Sequence, residues 1–80
     1  MERSEIEATV REVMAGLFGL EESEIDADTS MNTVEAWDSL QHVTLVMSLE
    51  QALGVQLPVE AAFAMTSFGK ILETVAQYKS

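Results

Sequence analysis

Apolar residues recur at helical spacing in several stretches of this chain, and a long polar stretch separates the first from the second. Ile6, Val10, Val13, Met14, Leu17 and Phe18 fall on one stripe of a helix. Ser4, with Glu7 three residues on, forms a capping-box pattern, and Gly19 stands where a left-handed C-terminal cap belongs. The first helix is therefore expected over residues 5–18. From Leu20 to Trp37 acidic and hydroxyl residues dominate, with Ile25, Met31 and Val34 as isolated apolar positions. A connection of that length is usually functional or pinned to the core. The expectation is a loop held by those anchors, with room for a short turn of helix.

Asp38 then offers an N-cap, and Ser39 to Leu53 reads as the second helix. Leu40, Val43, Leu45, Val46, Met47, Leu49 and Leu53 wrap more than half of its circumference, leaving a narrow arc for Gln41, Thr44, Ser48 and Gln51. So wide an apolar arc predicts a helix at the centre of the fold. Gly54 ends it, and Val55 to Pro58 is extended, as the residue before a proline usually is. Val59 to Met65 reads as a short third helix with Pro58 near its start. Ser67 caps a last helix striped by Phe68, Ile71, Leu72, Val75 and Tyr78. Gly69 should weaken its first turn by ~1 kcal/mol relative to alanine. No segment has a strand period and nothing repeats, so the class is all-α.

At 80 residues the expectation is one domain, 1–80. An apolar fraction of 48% supports a packed core. The absence of cysteine excludes disulfides and argues against zinc or iron–sulfur sites. No apolar run approaches the roughly 18 residues of a membrane span, and no signal-peptide pattern opens the chain. A cytoplasmic protein with no membrane partner is expected. Four basic against fourteen acidic residues give a net charge of -10, which repels nucleic-acid backbones. That charge favours partners with basic patches, although solubility alone accounts for it equally well.

The candidate chemistry centres on Asp38-Ser39-Leu40. Ser39 would be exposed at the first helical position, at the positive end of a helix. A phosphate-linked group on its hydroxyl would sit in a favourable field. A plain helix start explains the same residues, and local chemistry weighs the two evenly. His42 lies one turn along, so a Ser–His hydrolase was a candidate. It lacks a nucleophile elbow and a source for an oxyanion hole, and His42 reads as a surface residue. No enzyme is expected. Asp26, Asp28, Ser30 and Asn32 alternate like calcium-loop ligands, but Met31 stands where glycine is required and Trp37 where the bidentate glutamate should be. No specific metal site is expected; weak divalent-cation association by the acidic loop stays open. Met14, Met31, Met47 and Met65 read as core filler before contact surface. Trp37 reads as a loop anchor before an exposed recognition residue.

Asp38-Ser39-Leu40, followed by Val43, Leu45-Val46-Met47, Leu49-Glu50, Gly54-Val55, Leu57-Pro58 and Thr66-Ser67-Phe68, resembles the acyl carrier protein family over nearly the whole chain. The resemblance implies a small four-helix bundle with a short third helix and a long loop between helices 1 and 2. It implies that Ser39 carries 4'-phosphopantetheine, transferred from coenzyme A by a phosphopantetheinyl transferase. The thiol of that arm would hold an acyl or aminoacyl group as a thioester. Asp38 would cap the second helix and help position the transferase chemistry, while Leu40 would pack the helix start or touch a partner. The second helix would be the docking surface, with Trp37, Gln41, His42 and Val43 as docking residues. Implied partners are the transferase, an acyl- or aminoacyl-loading ligase, and downstream acyltransferase or synthase enzymes, all served by a monomer. Lacking cysteine, the chain would leave the prosthetic thiol without a competitor, and tethering would raise the cargo's local concentration at each enzyme.

Two departures from the fatty-acid carriers are visible. The second helix turns Gln41, His42, Thr44, Ser48 and Gln51 outward, with only Glu50 and Asp38 acidic. Docking there should rest on hydrogen bonds and apolar contact more than on charge. Trp37 is bulky where those carriers have small residues, which is reminiscent of stand-alone carriers in aminoacyl, polyketide or nonribosomal-peptide pathways. Ala61, Ala62, Phe63 and Met65 lie where the family's third helix borders the acyl cavity, and Phe63 would narrow that space toward short or polar cargo. The alternatives are a housekeeping fatty-acid carrier and an unmodified helical interaction module.

Overall fold

Burial of Ile6, Val10, Met14 and Phe18 along one side fixes the orientation of α1 (Arg3–Phe18) in the computed structural model, which describes residues 2–79. Its first turn is set by the Glu2 carbonyl, which accepts from the N–H groups of Glu5 and Ile6 at 3.0 and 3.1 Å. The helix thus starts ahead of residue 5, and the expected Ser4–Glu7 capping box does not form. Both residues lie inside the helix, and Glu7 instead reaches Arg11 one turn on, at 3.5 Å. Gly19 closes α1 at φ 68°, a conformation that side chains with a Cβ rarely adopt.

A capping box does occur further along. Glu21 and Glu24 bracket a 3-10 turn, Glu22–Glu24, and the Glu21 N–H donates to the Glu24 carboxylate at 2.9 Å. The rest of the loop is pinned as expected by buried Ile25, Val34 and Trp37, with Met31 half-buried. Backbone bonds do as much. Thr29 and Ala27 offer their carbonyls to the N–H groups of Phe68 (2.8 Å) and Gly69 (3.3 Å), and Met31 donates to Thr66 at 3.3 Å. A Cβ at residue 69 would lie 3.3 Å from the Ala27 oxygen, so Gly69 permits this close approach at the cost of helix propensity. Arg11 ties the same loop to α1. Its guanidinium donates to the carbonyls of Glu22 (3.0 Å) and Ile25 and lies 4.8 Å above the Phe68 ring.

α2 (Ser39–Leu53) runs between the predicted caps, Asp38 and Gly54. Leu45, Leu49 and Leu53 are buried, yet Leu40 is 77% and Val43 and Met47 each 57% exposed. The expectation of a central α2 is therefore corrected. α1 packs against both α2 and α4, while half of the wide apolar arc of α2 faces solvent. The physical reason is coverage: α3 (Val59–Ala64) is too short to shield that side. α3 stops one residue early, at Ala64, and packs on α4 (Phe68–Lys79). Ser67 caps α4 through the Lys70 N–H at 3.2 Å, and Phe68, Ile71, Leu72 and Val75 enter the core. Among the described residues there are four α-helices and no strand, only an isolated bridge between Ser30 and Ser67. None of these helices is long and apolar enough to cross a membrane.

The Arg11 staple gives a stability prediction. Arg11→Met keeps an apolar stem against Phe68 but takes the donor from the part-buried Ile25 carbonyl, while the Glu22 carbonyl keeps the Ile25 N–H, and should cost ~1–3 kcal/mol in urea unfolding. Arg11→Lys should recover only part of that loss, because one ammonium cannot reproduce the guanidinium fork.

Candidate functional site

The chain reaches α2 through a turn in which the Trp37 N–H donates to Val34. Asp38 is extended (φ -102°, ψ -175°). Its carboxylate accepts from the Gln41 N–H at 2.9 Å and its carbonyl from the His42 N–H at 2.8 Å. That is the N-cap read from the sequence. Ser39 follows at the first helical position with its side chain exposed. The hydroxyl therefore stands in open solvent at the positive end of a helix. Leu40 also faces outward and does not pack the helix start. Gln41 is half-buried and Val43 exposed.

Trp37 and His42 sit elsewhere than a docking surface requires. Trp37 is 2% and His42 8% exposed. The Trp37 ring stacks on Phe18 at 5.2 Å and lies 18° from parallel with His42 at 6.0 Å. Its indole N–H donates to His42 Nδ1 at 3.0 Å. An indole nitrogen can only donate, so Nδ1 must be the acceptor and Nε2 carries the ring proton. Nε2 then donates to the Ala62 carbonyl of α3 at 2.8 Å. The reading of Trp37 as a loop anchor stands. The placement of His42 on the surface, and of both residues among docking contacts, is corrected. A buried imidazole is tolerated because both of its nitrogens are paired. For the same reason no ring nitrogen is free to take a proton from Ser39, which removes the Ser–His hydrolase on geometry as well as on motif.

One shallow apolar cleft adjoins Ser39, and a second shares its inner wall. The nearer, about 220 Å³, is lined by Met31, Ser39, His42, Val43, Phe63 and Thr66. The second, about 230 Å³, shares His42, Val43 and Phe63 and extends to Met47, Leu57 and Val59. Phe63 is 73% exposed and forms an outer wall, so it does not narrow an interior space as expected. Ala61 and Met65 are turned into the core. The strip of Leu40, Val43 and Met47 with Val59 and Phe63 was only partly foreseen, through Leu40 and Val43. An apolar arc too wide for one buried face was its signal in the sequence.

Glu50, one of two acids counted toward an outward α2 surface, is engaged internally. It accepts from the Leu57 N–H at 2.9 Å and holds the extended segment before Pro58. A larger cavity of about 340 Å³ lies between Leu20 and Val34, away from Ser39. Its oxygens serve the loop's own turns: Asp26 Oδ1 accepts from the Asp28 N–H at 3.0 Å and Thr29 Oγ1 from the Asp26 N–H at 2.9 Å.

Comparison with known proteins places this geometry in context. The family described as "Phosphopantetheine attachment site" matches residues 8–75. The chain is 32% identical over 80 residues to a protein of Rubrobacter xylanophilus named "Acyl carrier protein", covering 100% of this chain and 99% of that one.

The indole–imidazole pair yields a further stability prediction. Trp37→Phe leaves His42 Nδ1 without its donor and should lower stability by ~1–3 kcal/mol, measured by urea unfolding followed through helical circular dichroism. Gln41→Ala, on the same turn but outside the pair, should stay within ~0.5 kcal/mol of the parent.

Proposed function

The chain belongs to the acyl carrier protein family, and on that footing we propose that Ser39 is where its 4'-phosphopantetheine is attached. The protein is a carrier and not an enzyme. The observation that supports Ser39 is its exposed hydroxyl at the first position of a 15-residue helix, next to an N-cap whose carboxylate is turned onto Gln41. The residues fit the group. A phosphodiester there meets the positive end of α2, and no side chain has to move to admit it. When bound, the group supplies a thiol on a flexible arm, which holds cargo as a thioester. Ser39 contributes only its hydroxyl, and the phosphopantetheinyl transferase brings the base.

The partners are acyl-handling enzymes: a loading acyl- or aminoacyl ligase and downstream acyltransferases or synthases. They dock on the apolar strip of Leu40, Val43, Met47 and Phe63, with Gln41 at its edge. The two acids of α2 and its cap are both engaged by backbone N–H groups, Asp38 with Gln41 and Glu50 with Leu57. That supports a specialised aminoacyl, polyketide or nonribosomal-peptide role over fatty-acid synthesis, with the carrier acting as a monomer in the cytoplasm.

Incubation with coenzyme A and a promiscuous transferase should add one phosphopantetheinyl mass to the parent chain and none to Ser39→Ala. No gain, or an equal gain in the variant, overturns the assignment. Val43→Asp should lower the loading enzyme's kcat/KM about tenfold, roughly 1.4 kcal/mol, with helical content unchanged. Raising salt from about 0.05 to 0.5 M should change KM by less than about threefold, whereas a charge-steered interface would lose far more.

A further inference from the structure

A group tethered to Ser39 meets first the cleft beside it, and this cleft and the one beyond share His42, Val43 and Phe63, of which only His42 is buried. We propose that His42 is a positioning residue that closes the seam between α2 and α3 to cargo, so that the carrier presents short or polar acyl groups in solvent and does not shelter long chains. This rests on attachment at Ser39 and names the cargo class for that site.

The closure is a hydrogen-bonded one. His42 spans the seam, bonded on one side to the Trp37 indole and on the other to the Ala62 carbonyl. Beneath it Leu45, Leu49 and Met65 are completely buried and packed in one core with Trp37. Among the described residues no buried side-chain nitrogen or oxygen lacks a partner. A hydrocarbon chain pushing between α2 and α3 would part His42 from the indole N–H and from the Ala62 carbonyl, which keeps only the Met65 N–H, and could replace neither lost bond. Going deeper it would have to displace Leu45, Leu49 and Met65, which are fully buried. The chain therefore stays in the outer clefts against Val43 and Phe63, where its far end remains in water. A short acyl group loses little by this, and an aminoacyl group keeps its ammonium hydrated.

The test compares butyryl and decanoyl cargo on the pantetheine arm, reading the rate at which hydroxylamine cleaves each thioester against the same thioester on free pantetheine. In the parent chain both ratios should agree within about twofold, because neither chain is buried. His42→Ala should slow cleavage of the decanoyl form about fivefold or more and leave the butyryl form unchanged, as the seam opens. His42→Gln, which keeps a hydrogen-bonding group near the place of Nε2, should behave like the parent. Protection of decanoyl in the parent, or its absence in a folded His42→Ala chain, overturns the proposal. Should His42→Ala fail to fold, the parent still decides. His42 is the only histidine, so selective ¹⁵N labelling reads its ring directly. Identical ring signals with the two cargoes support closure, and a shift that grows with chain length overturns it. A chain that takes up no pantetheine mass refutes attachment at Ser39 but not the closure. The comparison then runs on Ser39→Cys, the only cysteine in that chain, bearing the same acyl-pantetheines through a maleimide at their other end.

Discussion

A buried indole N–H must find an acceptor, and that one requirement organises the neighbourhood of Ser39. Trp37 fastens the end of the long loop to Phe18 of α1, and its N–H selects the tautomer of His42. His42 in turn reaches the Ala62 carbonyl and fixes α3 against α2. Loop, second helix and third helix are thereby joined through Trp37, His42 and Ala62. A reactive arm gains from such a base. If Ser39 bears the arm, as proposed, its root lies between the Asp38 cap on one side and this pair on the other.

The charge distribution follows a related logic. The chain carries -10, yet the exposed face of α2 is largely apolar and uncharged. Its acids lie mostly on α1 and along the loop, and Glu50 is drawn inward to hold Leu57. The charge and the exposed apolar strip therefore occupy different surfaces of the chain.

How much of this was legible in the sequence depended on whether a feature is local. The extent of α2, its Asp38 cap and the glycines that end α1 and α2 are set by residues adjacent in the chain, so they could be read directly. The all-α class and the exposure of Ser39 followed from the same local signals. Trp37 was legible as an anchor because large aromatics seldom stay in solvent. His42 was not, since its burial depends on a carbonyl twenty positions away, and carbonyls leave no trace in a sequence. The clips from Thr29 and Ala27 to the start of α4 were hidden for that reason too. Gly69 looked like a weak helix residue until the oxygen beside it was placed. The capping box was assigned to Ser4 when Glu21 forms one, because Glu21 caps with a carboxylate where the motif specifies a hydroxyl. The apolar arc of α2 announced that two faces were apolar, but not which of them the rest of the fold would leave bare.

The indole–imidazole pair also constrains how this lineage can drift. Losing either ring alone strands the other's polar atom inside the core, so single exchanges at position 37 or 42 pass through a weakened intermediate. The two sites should be inherited as one unit, surviving together or being replaced together, while the alanine whose carbonyl they use is free to vary. Every residue has such an oxygen to offer, and selection on the side chain at position 62 is blind to it.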